Sequence, residues 1–173
     1  MSSLGLVQVY TGEGKGKSTA AFGLALRAWG RGLRVCIIQF LKLGEDYGEV
    51  QAVRRLAGID LMQFGGEHFV RKGRHRKEDA ERARAGLEKA KEALTSGRFD
   101  LVILDEVNVA VDFGLLGPEE VLEAVRSRGE VEVVLTGRNA PQAFLDEADL
   151  VTEMRMVKHP YDQGVEARPG IEF

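Results

Sequence analysis

Residues 7–19 read VQVYTGEGKGKST, a β-branched run that breaks into Gly12, Gly14 and Gly16, two lysines and a Ser-Thr pair. Few structures tolerate that order. The glycines let the backbone turn tightly and aim successive N–H groups at one point, and a helix starting at the loop's end adds partial positive charge. The result is an anion cradle joining a strand to a helix. The usual phosphate-loop pattern is G-x-x-x-x-G-K-[ST]. Gly16, Lys17 and Ser18 fit its end, but Thr11 stands where its first glycine belongs. In such a loop Lys17 neutralises phosphate oxygens and the Ser18 hydroxyl ligates a magnesium ion.

The rest of the chain supplies the α/β context the loop needs. Strands are predicted at Leu6–Tyr10, Val35–Phe40, Ile59–Phe64, Leu101–Asp105, Val131–Thr136 and Leu150–Thr152. Most are nearly continuous in apolar character, as in a parallel sheet covered on both faces. Helical patterns lie between them at Lys17–Gly30, Val50–Ala57, Arg76–Ser96, Pro118–Arg128 and Pro141–Glu147. The alternation predicts right-handed crossovers and an α/β three-layer sandwich with a mostly parallel sheet of about six strands. The tail, residues 155–173, has two prolines, two glycines and no sustained period, and reads as irregular.

With 173 residues, 44% apolar and 29% charged, the chain reads as one globular domain spanning 1–173. A net charge of −3 argues against a protein built on nonspecific nucleic-acid binding. The basic run RKGRHRK, Arg71 to Lys77, lacks interleaved aromatics and is followed at once by Glu78, Asp79 and Glu81, so it reads as a solvated loop. The lone Cys36 excludes a disulfide framework and reads as a small core hydrophobe. No apolar run approaches the ~20 residues that cross a bilayer, and the start MSSLGLVQVY lacks signal-peptide character. A cytoplasmic protein without membrane or nucleic-acid partners is the expectation.

Two further motifs point at the same end of the sheet. DLVILDE ends a strand in Asp105-Glu106, where open α/β sheets bind ligands and where an acid completes a magnesium site. Which of the two acids touches the metal stays open. VVLTGRNAP ends another strand near Arg138, whose planar fork can reach phosphate. His68, His75 and His159 show no metal-ligand spacing, and no Ser-His-Asp or Cys-His arrangement stands out.

Together TGEGKGKSTAAFG, DLVILDE, LTGRNAP and the tail VKHPYDQGVEARPGIEF resemble the ATP:corrinoid adenosyltransferases of the phosphate-loop type, from about Leu6 to Phe173. The resemblance accounts for the displaced glycine, since that family uses a shortened G-x-G-K-G-K-[ST] loop. It implies a P-loop NTPase-like fold and transfer of the 5′-deoxyadenosyl group of ATP to Co(I) of a corrinoid, with release of triphosphate. It implies ATP contacts at Gly12, Glu13, Gly14, Lys15, Gly16, Lys17, Ser18, Thr19 and Arg138, with Lys15 and Lys17 neutralising the leaving triphosphate. It further implies Mg2+ (or Mn2+) on Ser18 and Asp105 or Glu106, corrinoid contact at Phe69, a reduced flavoprotein electron donor and a homodimer. Family members commonly have Asn where this chain has Glu13, and an aromatic pair with a tryptophan near FGGEHFVRKG, where Val70 stands. The competing readings are a phosphoryl-transferring kinase or NTPase, a nucleic-acid-binding ATPase module using RKGRHRK, and a nucleotide-binding regulator.

Overall fold

The computed structural model describes residues 5–173, so part of the leading segment MSSLGLVQVY lies outside the described residues. In chain order the elements are β1 (Val7–Thr11), α1 (Lys17–Trp29), β2 (Val35–Phe40), α2 (Gly48–Val53), β3 (Ile59–Phe64) and α3 (Lys77–Thr95). There follow β4 (Leu101–Asp105), α4 (Val107–Asp112), α5 (Pro118–Arg126), β5 (Glu132–Thr136), α6 (Gln142–Glu147) and β6 (Leu150–Glu153). After β6 the chain is irregular apart from a 3-10 turn at Pro160–Gln163.

The six strands form one sheet in the order β3-β2-β4-β5-β1-β6, with every pairing parallel. All residues of β2 and β4 are buried, which is why their sequences are apolar without alternation as far as Gln39 and Asp105. Val35 and Ile37 of β2 pack with Ala21, Ala25 and Ala28, the small-residue stripe of α1, on one face. Cys36, Ile38 and Phe40 turn to the other face, against Leu87 and Leu94 of α3 and Leu122 of α5. Each Val, Leu, Ile or Phe among them contributes roughly 1.5–3 kcal/mol by leaving water. A Cβ at Gly86 of α3 would lie 3.0 Å from the Phe40 and Phe64 rings, so glycine is what lets α3 sit this close to the sheet.

The expected three-layer α/β sandwich is therefore what forms. Three differences from the sequence reading exceed a one-residue shift of an element's end. Residues Val107–Asp112 make a helix that the β-branched run VNVAV conceals, because burial of Val107 and Ala110 against the sheet overrides strand propensity. The short helix α2 starts two residues earlier than expected and stops at Val53, leaving a turn that ends at Gly58 with φ +97°. Finally α5 ends at Arg126, two residues short of the expected end, where the Ser127 hydroxyl bonds back to Ala124 O at 2.7 Å.

Topology fixes where a ligand can lie. From β2 the chain moves outward to β3, whereas from β4 it moves the opposite way to β5. The carboxyl ends of β2 and β4 therefore part at a switch point, the usual binding crevice of an open α/β sheet.

Candidate active site

At that end of the sheet lies a cavity of about 860 Å³, within the range of small-molecule sites. Its walls include loop residues Glu13–Thr19, Lys42, Glu106, Arg138 and the tail residues Gly170–Phe173. The three non-glycine residues with positive φ among the described residues all line it: Leu41 (φ 60°), Glu106 (φ 64°) and Asn139 (φ 52°). They follow the ends of β2, β4 and β5. Such conformations cost roughly 1–3 kcal/mol each and collect at binding sites.

The glycine-lysine loop runs from the end of β1 to the start of α1, as the sequence requires. It is docked on the chain beyond β6: Gly14 N donates to Met154 O at 2.6 Å. A Cβ on Gly14 would lie 2.6 Å from the same oxygen, so this position is closed to larger residues. Lys17 is nearly buried and folds its ammonium onto the loop, 2.6 Å from Gly12 O and 2.7 Å from Gly14 O. Burial pushes the Lys17 pKa down, against the opposing pull of Glu106.

Behind the loop stands a charged network. Asp105 is fully buried at the end of β4. Its Oδ1 accepts from Thr136 Oγ1 at 2.7 Å, while Oδ2 accepts from Gln39 Nε2 at 3.0 Å and from Lys42 Nζ at 2.8 Å. Lys42 Nζ also lies 3.1 Å from Ser18 Oγ and 3.9 Å from Glu106 Oε1. Burial raises the Asp105 pKa, but the Lys42 charge and hydrogen bonds from Lys42, Thr136 and Ser18 outweigh it and hold the carboxyl below the usual range. Glu106 moves the other way, raised by burial and then by Asp105, with Lys42, Lys17 and Arg138 opposing. Burial lowers the Lys42 pKa, yet Asp105 and Glu106 more than offset it, so the net shift is upward.

The sequence-derived candidates mostly converge. Glu13 through Thr19, Glu106 and Arg138 line the cavity, whereas Asp105 sits behind it. Phe69 and Val70 line it too: Phe69 is 87% exposed, an aromatic face open to a ligand, while Val70 is buried and packs into the core. Glu13 does not point away from the site: its carboxylate reaches 3.5 Å from Arg138 Nε across the mouth. Lys15 is held by the tail, donating to Ile171 O at 2.7 Å and to Glu172 Oε1 at 3.1 Å. His68 lies against Asp79, away from the cavity lining, whereas His159 accepts from Tyr161 N and lines the cavity. Sequence reasoning missed Lys42, Gln39 and Thr136. The available signal was position, since each lies at or just past the carboxyl end of a central strand.

A family model described as ATP:corrinoid adenosyltransferase BtuR/CobO/CobP matches residues 3–173. The chain belongs to this family. It is 39% identical over 173 residues to a corrinoid adenosyltransferase from Sinorhizobium sp, covering 98% of this chain and 80% of that protein. It is 38% identical over 170 residues to a corrinoid adenosyltransferase from Pseudomonas aeruginosa, covering 98% and 84% of the two chains. The same identity and length relate it to corrinoid adenosyltransferase CobA of Salmonella typhimurium, at 98% and 86% coverage. The ATP:corrinoid adenosyltransferase family thus accounts for the whole described sandwich, tail included.

Proposed function

We propose that this chain transfers the 5′-deoxyadenosyl group of ATP to the Co(I) centre of a corrinoid and releases triphosphate. The observation that carries the reading is the cavity itself: a glycine loop with Lys15, Lys17, Lys42 and Arg138 around one end, in a chain related along its length to corrinoid adenosyltransferases. The reaction asks for no protein nucleophile or general base. Co(I) is the nucleophile and the ribose 5′ carbon is its target, so the cobalt–carbon bond forms as the bond from that carbon to the triphosphate oxygen breaks. The protein's task is to orient both partners and to neutralise the departing charge.

Lys17 is the first agent of that neutralisation. Two loop carbonyls now hold its ammonium, and an arriving polyphosphate offers it stronger, charged acceptors. Lys15 and Arg138 stand at the mouth and meet the outer phosphates once Glu172 and Glu13 let them go. The loop amides and the start of α1 add fixed positive ends of dipoles. The Phe69 face and Val109 supply an apolar wall for the corrinoid.

The oxygens of Ser18, Glu106 and Asp105 are of the hard class that magnesium takes, and they already surround one cation, so the donor set fits the ion. Ser18 and Glu106 would hold it at the cavity wall, with Asp105 behind. When bound it screens charge on the polyphosphate oxygens.

Further parts of the reading concern the whole molecule. The chain acts as one domain and as a homodimer; the exposed Leu150 and Val151 of edge strand β6, with Met156 and Val157 beyond, give a second copy apolar surface to cover. A reduced flavoprotein supplies the electron that makes Co(I). Among the described residues no helix is long and apolar enough to cross a membrane, and the cytoplasm is the proposed compartment.

The test is anoxic. Protein, Mg-ATP and chemically reduced cobalamin are mixed, the corrinoid spectrum is followed for a cobalt–carbon bond, and the phosphate product is identified. Adenosylcobalamin with triphosphate, both lost in Lys17→Ala, is the expected result. ADP as the product would overturn the reading in favour of phosphoryl transfer.

A further inference from the structure

The side chains expected around a magnesium ion converge instead on an ammonium. Lys42 Nζ lies 2.8 Å from Asp105 Oδ2, 3.1 Å from Ser18 Oγ and 3.9 Å from Glu106 Oε1. Magnesium would draw such oxygens in to about 2.0–2.1 Å and retain several waters. It cannot share that space with the lysine head group. An ammonium here also cancels much of the negative charge that would attract a free ion.

The arrangement is built rather than incidental. Lys42 reaches the oxygens from the end of β2, across the switch point from β4, and its side chain is only 17% exposed. The backbone turns through the left-handed Leu41 immediately before it, at φ 60°. Asp105 is held from behind by Thr136 and Gln39, and Gln39 Oε1 in turn accepts from Gln63 Nε2 at 3.0 Å. These partners keep Asp105 in place whatever Lys42 does. The Lys42 backbone is fixed by Gly65 N, which donates to Lys42 O at 3.0 Å, whereas its side chain lines the cavity.

Building on the magnesium reading given above, we propose that Lys42 is a stand-in cation. Without nucleotide it holds Ser18, Asp105 and Glu106 together and keeps free divalent ions out. When ATP enters, the polyphosphate brings negative charge for two cations at once. Lys42 then gives up Ser18 and Glu106 to the metal and turns to a phosphate oxygen, still tied to Asp105. The divalent ion is therefore admitted only together with nucleotide, and Lys42 becomes one more positive group on the leaving triphosphate.

The experiment uses Mn2+ as the probe, reading its free aqueous signal by electron paramagnetic resonance with the intact chain, with and without ATP. Wild type is expected to take up stoichiometric Mn2+ only when ATP is present. Lys42→Met, similar in size but neutral, is expected to bind Mn2+ without ATP at least about tenfold more tightly than wild type. Adding Asp105→Asn to it should erase that gain, and Lys42→Arg should behave as wild type. Should Lys42→Met not fold, the thermal midpoint of wild type decides: Mg2+ alone leaves it unmoved, and Mg2+ with ATP raises it beyond ATP alone. Tight Mn2+ binding by wild type without ATP, or a folded Lys42→Met that gains none, would overturn the proposal. Absence of Mn2+ uptake even with ATP, together with ATP binding indifferent to chelator, is a different signature; it would remove the magnesium reading itself and the Lys42 proposal with it.

Discussion

Replacing Asp105 with asparagine keeps the shape of the side chain and removes its charge. In the native chain that carboxylate takes hydrogen bonds from Gln39, Lys42 and Thr136. The amide must turn two N–H groups toward some of those donors, and Lys42 loses its counter-ion. Removing one partner of a buried ion pair costs about 3–5 kcal/mol. Lys42 keeps some water and has Glu106 at 3.9 Å to fall back on, so the lower figure, about 3 kcal/mol, applies. With a urea slope of about 2 kcal/mol/M, the unfolding midpoint should fall by about 1.5 M at pH 7. Adding Lys42→Met should restore part of the loss, a coupling of about 1–3 kcal/mol between the two sites. The pH dependence has a definite sign. The Asp105 carboxyl is held below its ordinary range in the folded chain, so its contribution is complete above the unfolded value, about 3.9, and fades as pH falls through the folded value. Wild type and variant should therefore converge in acid. A midpoint shift below about 0.3 M, or strict additivity in the double variant, would refute the claim that this pair is a buried, mutually dependent unit.

Gly14→Ala should lower stability by about 1–3 kcal/mol and raise the KM for ATP, because the new Cβ meets Met154 O at 2.6 Å and forces the loop off the chain beyond β6. Unchanged melting and unchanged KM together would show the loop is not clamped there. Glu13→Gln frees Arg138 from an exposed pair worth about 0–1 kcal/mol, so calorimetry should find ATP bound more tightly by up to about fivefold; weaker binding would contradict the reading. Glu172 drops from its ordinary 4.5 to about 2, chiefly through the hydrogen bond from Arg168. Its hold on Lys15 is thus present above pH 4.5 and lost as pH falls toward 2, which carboxyl carbon shifts in an NMR titration would follow. An unshifted Glu172 would mean the tail is not clasped in solution.

Central strands were readable because burial on both faces favours apolar residues along most of their length, and β2 and β4 were bounded correctly for that reason. Helix α4 was not, because VNVAV carries the local preference of a strand and becomes helical only where the sheet covers it. The loop was legible since glycine, lysine and serine spacing is local. Lys42 was not, because one lysine in LKLGEDYGE has no pattern around it, and its meaning arises from Asp105, 63 residues away. Contact between Lys15 and Glu172 spans 157 residues and leaves no local trace.

Sheet order also imposes a sequence in time. Strand β1, which delivers the nucleotide loop, pairs only with β5 and β6, and Gly14 is tied to Met154 beyond β6. As the chain emerges from a ribosome, β1 comes first and must wait for residues 132–154 before it has a neighbour. Strands β2, β3 and β4 can pair among themselves well before that. The anion cradle is thus written at the beginning of the molecule and finished near its end, so a nascent chain stalled before β5 presents the loop with no sheet to brace it.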